Sequence, residues 1–163
     1  MAGCETVYFY SQAATGQLKI LAGRKPIDRV VADKETDPKL KTQLEWVRAI
    51  RAYAAGELHL PVESAYSDFT QLDGEYALWN LIAAPEFSLS PKRWCYPIAG
   101  CASYRGYFDK SDAELHAGRL RAQGYDVYLG PVPAYSTLGW FDDPVLSSFV
   151  NWKPDRLASL LFH

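Results

Sequence analysis

The chain has 163 residues, which is the size of one ordinary domain. Its hydrophobic fraction of 48% and charged fraction of 22% exclude a disordered, collagen-like or coiled-coil chain. The 17 basic and 19 acidic side chains give a net charge of −2, so the composition carries no electrostatic signature of nucleic-acid binding or of an anionic-membrane protein. No apolar run approaches the roughly 20 residues that a membrane-spanning helix needs.

Apolar periodicity predicts three helices in the first third of the chain. Residues 7–22 form the first, with an inward face of Ala13, Ala14, Leu18 and Leu21. Residues 26–32 form a short second helix opened by a proline. The third begins at Pro38, is capped by Thr36 or Asp37, and has an inward face made of Leu40, Leu44, Val47, Ile50 and Ala54.

The middle of the chain is predicted to form strands with one helix. Residues 64–75 are polar and predict a loop, residues 76–84 a buried strand, and residues 94–108 two strands around a turn at Ala99-Gly100. A capping box of Ser111 and Glu114 opens a helix that ends at Gly124. A strand follows at residues 125–129 and is broken by the Gly-Pro pair at 130–131.

The last third predicts one more strand at residues 134–140, a turn at 142–144 that leads into a short helix, and a helix opened by Pro154. Leu157, Leu160 and Leu161 share one face of that final helix. No Gly, Asn or cationic last turn closes it, so we expect the natural sequence to continue. The predicted fold is α+β in a single domain, residues 1–163: N-terminal helices, then a mixed β-sheet with a crossover helix, then a C-terminal helix.

Residues 2–4 have the sequence Ala-Gly-Cys, which resembles the end of a bacterial lipoprotein processing site. In such sites the cysteine is lipidated and becomes the mature N-terminus. The start of the chain has no charged or apolar region of a signal peptide. The cysteine stands where the chain would begin if such a signal were trimmed just ahead of it. We therefore expect Cys4 to be a lipidation site that anchors the protein to a membrane; a chance match is the alternative.

Three long stretches resemble one known family, the bacterial putative aminopeptidases, which are zinc metallopeptidases of lipoprotein type. They are residues 84–89 (APEFSL), 94–108 (WCYPIAGCASYRGYF) and 133–147 (PAYSTLGWFDDPVLS). In that family the final helix carries Leu-Ile/Leu-Phe-His followed by Glu-Leu-Ala-His. Residues 160–163 (LLFH) match the first part, so the resemblance implies that His163 is a zinc ligand, the first histidine of an H-E-x-x-H motif cut at that point.

The chemistry of that motif explains what the resemblance implies. Histidines at i and i+4 project from one helical face and share a zinc ion, and the glutamate beside the first acts as general base. A catalytic zinc takes about three protein ligands, and His163 supplies one. The chain is therefore expected to be the N-terminal part of a zinc-dependent aminopeptidase, inactive by itself and unable to hold zinc tightly. The alternative is a non-catalytic cell-envelope lipoprotein that binds peptides or a protein partner.

A substrate-binding segment is also implied, because in related zinc peptidases an edge strand beside the zinc helix pairs with the peptide backbone. The segment placed for this role consists of Ala134, Tyr135, Ser136, Thr137 and Leu138. It would add a peptide as an extra strand. An ordinary internal strand or loop is the alternative. The family further implies a peptide substrate and a periplasm-facing location in the cell envelope, while the net charge of −2 predicts no nucleic-acid partner.

Cys95 and Cys101 are separated by five residues, which is not the spacing of a zinc ribbon. With a two-residue turn at 99–100, Cys95 would face Tyr104, whereas a looser turn would let the thiols meet. A disulfide in an oxidising periplasm and two buried free thiols both remain open. His59 and His116 lack metal spacing and are expected to be structural or solvated.

Overall fold

The structure, a computed structural model, describes residues 2–96, 100–137 and 139–162, with side chains from residue 6 onward. These residues form an α+β fold, as predicted. The helices are α1 (Ala2–Ala22), α2 (Ile27–Ala32), α3 (Pro38–Gly56), α4 (Lys110–Ala122) and α5 (Pro154–Phe162). The strands are β1 (Arg24–Pro26), β2 (Asp68–Thr70), β3 (Leu78–Pro85), β4 (Trp94–Tyr96), β5 (Gly100–Ala102), β6 (Arg105–Tyr107), β7 (Tyr125–Val132) and β8 (Val145–Leu146).

The chain divides into two compact units. The first contains the residues up to Leu18 together with Tyr76–Pro133, and the second contains Lys19–Glu75 together with the residues from Ala134 onward. The assignment of the whole chain to a single domain stays a prediction. None of the helices within the described residues has the length and apolarity needed to cross a bilayer.

The first unit is organised around β3, the central strand of a three-stranded sheet with the order β6-β3-β7. Both neighbours run antiparallel to β3, so β6 and β7 are parallel to each other and α4 is the crossover between them, as predicted. Leu81 is fully buried at the centre of β3. The core around it contains Phe9, Ala83, Trp94, Tyr107, Ala113, Ala117 and Leu120.

Two boundaries in this unit differ from the sequence prediction. β7 continues through Gly130 and Pro131, which pair with Asn80 and Trp79 of β3. The predicted break is wrong because β7 is an edge strand, where a proline need not donate to a further neighbour. The predicted capping box is wrong as well: the carboxylate of Asp109 accepts from the backbone N–H of Ser111 at 2.7 Å and caps α4 instead.

The stretch predicted as two strands contains three, β4, β5 and β6. β4 and β5 pair in a register that sets Tyr96 against Gly100 and Cys95 against Cys101, so a two-residue turn at 99–100 is wrong. Residues 97–99, which connect the strands, lie outside the described residues. The register of β4 and β5 sets the two cysteines opposite each other, and the structure joins them in a disulfide.

The second unit is built on a sheet with the order β1-β2-β8, in which β1 is antiparallel and β8 parallel to β2. β2 lies inside the stretch predicted as loop. The strand was missed because its buried pair, Phe69 and Thr70, is flanked by polar residues. β8 replaces the short helix predicted after Pro144. α3 behaves as predicted: Asp37 caps it by accepting from the Leu40 N–H at 3.0 Å, and Pro38 is its first residue.

The inward face predicted for α1 is wrong. Leu18 is 64% exposed, whereas Phe9, Gly16 and Ile20 are buried. Gly16 lies directly against the ring of Phe108, at a distance that leaves no room for a Cβ atom. The glycine therefore determines which face of the helix can pack, since a larger side chain at that position would keep the helix away from Phe108.

We predict that Gly16→Ala destabilises the protein although alanine is the better helix former. The added methyl group overlaps the Phe108 ring, so the free energy of unfolding should fall by about 1–3 kcal/mol in urea denaturation. Gly118→Ala in α4 is the matched control, because nothing lies within 4 Å of the added Cβ atom. It should raise the free energy by about 0.5–1 kcal/mol, and an equal gain in both variants would refute the packing role of Gly16.

Candidate functional site

The candidate site lies in the second unit and is organised by Asp143. One oxygen of its carboxylate accepts a hydrogen bond from the backbone N–H of Thr137 at 2.9 Å, and the other accepts from the Thr137 hydroxyl at 2.8 Å. The Thr137 hydroxyl in turn accepts from the N–H of Phe141 at 3.2 Å. Hydrogen bonds to a carboxylate are stronger than neutral ones, so this pair holds the two ends of residues 137–143 together; we call this range, of which Leu138 lies outside the described residues, the clamped loop.

The backbone carbonyl of Asp143 binds a second segment, because it accepts from the N–H of Tyr66 at 2.9 Å. Tyr66 belongs to residues 57–67, which we call the strained loop. His59, Glu63 and Tyr66 have φ values of 52°, 23° and 56°. Left-handed backbone conformations cost non-glycine residues of order 1–3 kcal/mol each, and they persist only where the surrounding contacts hold them.

Arg51 of α3 provides those contacts for the strained loop. Its Nε donates to the carbonyl of Ala65 and its Nη2 to the carbonyl of Glu63, both at 2.9 Å. The fixed fork of donors on a guanidinium suits two carbonyls of one loop. Arg51 therefore fixes the loop from the helix side while Asp143 fixes it from the clamped loop.

Two tyrosines lie close to Asp143. Burial raises the pKa of Tyr135, and the negative charge of Asp143 raises it further. The same two causes, in the same order, raise the pKa of Tyr66. Both shifts move the deprotonation of the phenols further into the alkaline range than in a free tyrosine, and neither phenol carries a charge at neutral pH.

A cavity of about 230 Å³ opens beside the strained loop. Its walls come from α3, the strained loop and the end of α5, and they are mainly apolar: Ile50, Arg51, Ala54, Leu60, Pro61, Val62, Ala65, Tyr66, Leu161 and Phe162. This volume is smaller than that of a usual drug-sized site and suits one apolar side chain. The clamped loop adds two exposed aromatic rings, since Trp140 is 66% and Phe141 49% exposed.

The described residues do not fit a zinc ion by themselves. No group of three His, Cys, Asp or Glu side chains in residues 2–96, 100–137 and 139–162 could hold a metal. His163 lies outside the described residues. His116 is buried and hydrogen-bonds through Nδ1 to the Tyr107 hydroxyl, so its role is structural, as expected.

The predicted substrate segment has a different conformation from the one expected. Residues 134–137 are not in a strand, so the strand predicted at 134–140 is wrong there, and Leu138 lies outside the described residues. In the acidic pair at 142–143, the Asp143 carboxylate stabilises the turn through its hydrogen bonds to Thr137. The backbone carbonyl of Asp142 accepts a hydrogen bond from Arg24 at 3.4 Å. Cys4 lies in α1, and its side chain is outside the described part.

Sequence reasoning missed Arg51 and Tyr66 altogether. The partners of Arg51 are backbone carbonyls 12 and 14 residues away, so the types of the residues around them do not indicate the contact. The contact of Asp143 with Thr137 spans six residues inside one loop. An Asp-Pro pair following a threonine within a few residues was the one signal that could have indicated it.

We predict that Asp143→Ala loosens the clamped loop. Loss of two hydrogen bonds to a carboxylate should lower the free energy of unfolding by about 1–3 kcal/mol and speed proteolytic cleavage within residues 137–143. Asp142→Ala is the matched control, because that side chain is exposed, and it should change the free energy by at most about 0.5 kcal/mol. Equal effects of the two substitutions would contradict the assignment of the clamp to Asp143.

Comparison with known proteins gives one result. A family model described as putative aminopeptidase matches residues 8–163. No curated protein and no solved structure matches the chain. The family match covers nearly the whole sequence, including α5 and the clamped loop, so the chain belongs to the putative aminopeptidase family.

Proposed function

We propose that the chain is the N-terminal part of a zinc-dependent aminopeptidase, which hydrolyses peptide bonds near a free N-terminus. The observation that carries this proposal is the family match over residues 8–163, which supports a peptidase-like function. The zinc dependence rests on the likeness of residues 160–163 to the start of the family's H-E-x-x-H helix. α5 (Pro154–Phe162) is the helix that leads directly to His163.

His163 is the residue of this chain that would bind the metal, and the other ligands would come from the continuation of its helix and from sequence further downstream. When bound, zinc would supply a Lewis acid. One histidine is too few for a catalytic site, which takes about three protein ligands. The 163-residue chain alone should therefore be inactive and hold no zinc tightly.

The role proposed for the other residues of this chain is to bind and orient the peptide. Residues 134–138 would hold its backbone, and the two hydrogen bonds of Thr137 to Asp143 would position the segment for this role without themselves contacting the peptide. The cavity beside Leu161 and Phe162 would accept an apolar side chain. Fixing both segments before the substrate arrives reduces the entropy lost on binding, which is how a scaffold improves both affinity and alignment.

The protein is also proposed to be a lipoprotein of the cell envelope that faces the periplasm and is attached to the membrane through Cys4. The Ala-Gly-Cys sequence at residues 2–4 supports this anchor. A disulfide between Cys95 and Cys101 is compatible with such a compartment, because disulfides persist in an oxidising periplasm.

The first prediction of this proposed function concerns the metal. The full-length protein, expressed from its gene with the expected Glu-x-x-His and the sequence downstream of it, should bind about one zinc per chain and cleave aminoacyl-p-nitroanilides. His163→Ala should reduce zinc affinity by more than about a hundredfold, because loss of a residue that only hydrogen-bonds to a zinc ligand already costs 10- to 100-fold. Metal analysis and the cleavage rate measure the two effects.

His59→Asn is the matched control for His163→Ala. His59 is exposed and has a left-handed φ that asparagine tolerates, so zinc content and rate should stay at the level of the unsubstituted protein. Full activity of the His163→Ala variant would overturn the assignment of His163. A gene that does not continue into Glu-x-x-His would favour the non-catalytic, peptide-binding lipoprotein.

The second prediction concerns the anchor. In bacteria that express the gene with its own leader, Cys4 should incorporate labelled fatty acid and the protein should fractionate with membranes. Cys4→Ser should abolish the label, whereas the control pair Cys95→Ser and Cys101→Ser should keep it, because those sulfurs are paired with each other. Label that persists in Cys4→Ser would refute the anchor.

A further inference from the structure

The loop between β3 and β4 in the first unit exposes two large apolar side chains. Phe87 is 98% and Leu89 103% exposed, so neither ring nor branch contacts the rest of the protein to any extent. We call residues 87–89 the apolar tip. Single exposed apolar residues are ordinary on protein surfaces, but two fully exposed ones at the end of a protruding loop are typical of an interaction site.

Hydrogen bonds give the apolar tip a defined shape. The N–H of Ser88 donates to the carbonyl of Pro85 at 3.0 Å, and the N–H of Ser90 donates to the Ser88 hydroxyl at 3.1 Å. The N–H of Lys92 closes the base of the loop on the carbonyl of Ala83 at 2.7 Å. Phe87 has a φ of 59°, a strained value for a residue without the freedom of glycine. The loop thus maintains an unfavourable backbone conformation while both apolar side chains point into solvent.

Residues 86–93, which contain the apolar tip, carry one negative and two positive side chains. Glu86 precedes it and is exposed, while Lys92 and Arg93 follow it. The Lys92 ammonium lies 5.0 Å from the centre of the Tyr125 ring, which holds this charge at the base of the loop. Arg93 is exposed. The local balance of one positive charge differs from the net charge of −2 of the whole chain.

We propose that the apolar tip inserts Phe87 and Leu89 into the interfacial region of an anionic lipid bilayer, with Lys92 and Arg93 against the headgroups. The small size of the apolar tip favours lipid over a protein partner. A stable protein interface buries about 800 Å² on each side, whereas a bilayer can accept two apolar side chains without a matching pocket. An aromatic ring beside basic residues is also the composition of interfacial anchors. This inference does not depend on the peptidase activity, nor on lipidation at Cys4.

Vesicle co-sedimentation tests the proposal with the unlipidated chain, made without a leader, and vesicles of phosphatidylglycerol mixed with phosphatidylcholine. Phe87→Ser and Leu89→Ser should each lower the partition coefficient about tenfold, because each removes one inserted side chain. Neither variant should lose stability, since both side chains are fully exposed. Arg93→Gln should weaken binding to these vesicles and reduce its dependence on salt, and should leave binding to pure phosphatidylcholine unchanged.

Leu115→Ser is the matched control, because Leu115 is an exposed leucine on α4 of the same unit, 56% accessible, and it should bind vesicles like the unsubstituted chain. Failure of the unsubstituted chain to co-sediment, or an equal loss in Leu115→Ser, would overturn the proposal. A chain that self-associates in sedimentation velocity and becomes monomeric in Phe87→Ser would likewise overturn it, because the apolar tip would then be a protein contact.

Discussion

The candidate site depends on one carboxylate. Asp143 receives two hydrogen bonds from Thr137 and offers its backbone carbonyl to Tyr66, so one residue fixes the clamped loop and one end of the strained loop. A carboxylate can do this at modest cost because each of its oxygens has a donor, which offsets the loss of hydration on partial burial. Its charge has a second effect: it adds to burial in raising the pKa values of Tyr66 and Tyr135, so both phenols lose their proton only at a higher pH than a free tyrosine does.

Hydrogen bonds from Arg51 offset the backbone strain in the second unit. Three residues of the strained loop adopt left-handed conformations without the freedom of glycine. Arg51 stabilises these conformations with two charged hydrogen bonds to carbonyls of the same loop. It belongs to α3, whose buried face is fixed in the core by Leu44, Val47, Ile50 and Ala54. Strain held in this way is common at binding sites, because it fixes the geometry of a loop before the ligand arrives.

Local signals in the sequence predicted local structure well. Asp37 with Pro38 marked the start of α3, Gly124 marked the end of α4, and the succession of strand, helix and strand indicated the crossover from β6 to β7. These features depend on residues within one or two turns of each other. Local signals also misled at the capping box of Ser111, at the turn at 99–100 and at the break at 130–131. Two other errors have the opposite cause. β2 is three residues long inside a polar stretch, and the buried face of α1 is determined by the ring of Phe108, which lies 92 residues after Gly16 in the chain.

The site itself was only partly predictable for the same reason. Family likeness pointed to residues 134–138 and to His163, but the contacts that organise the site join Asp143 to Thr137 and Tyr66, and Arg51 to two carbonyls. Backbone carbonyls are present at every residue, so no pattern of side chains reveals which of them an arginine will bind. The cavity is likewise a product of packing, since its apolar lining comes from three separate stretches of sequence.

Amide hydrogen exchange tests the central claim, that Asp143 holds both loops, most directly. The amides of Thr137 and Tyr66 should both be protected in the unsubstituted chain, because each donates a hydrogen bond to Asp143. In Asp143→Ala, which removes both accepting oxygens, the Thr137 amide should lose most of its protection, while Tyr66, which donates to the backbone carbonyl, and the amides of α3 should keep theirs. A Thr137 amide that exchanges at the rate of an open chain before any substitution would contradict the account.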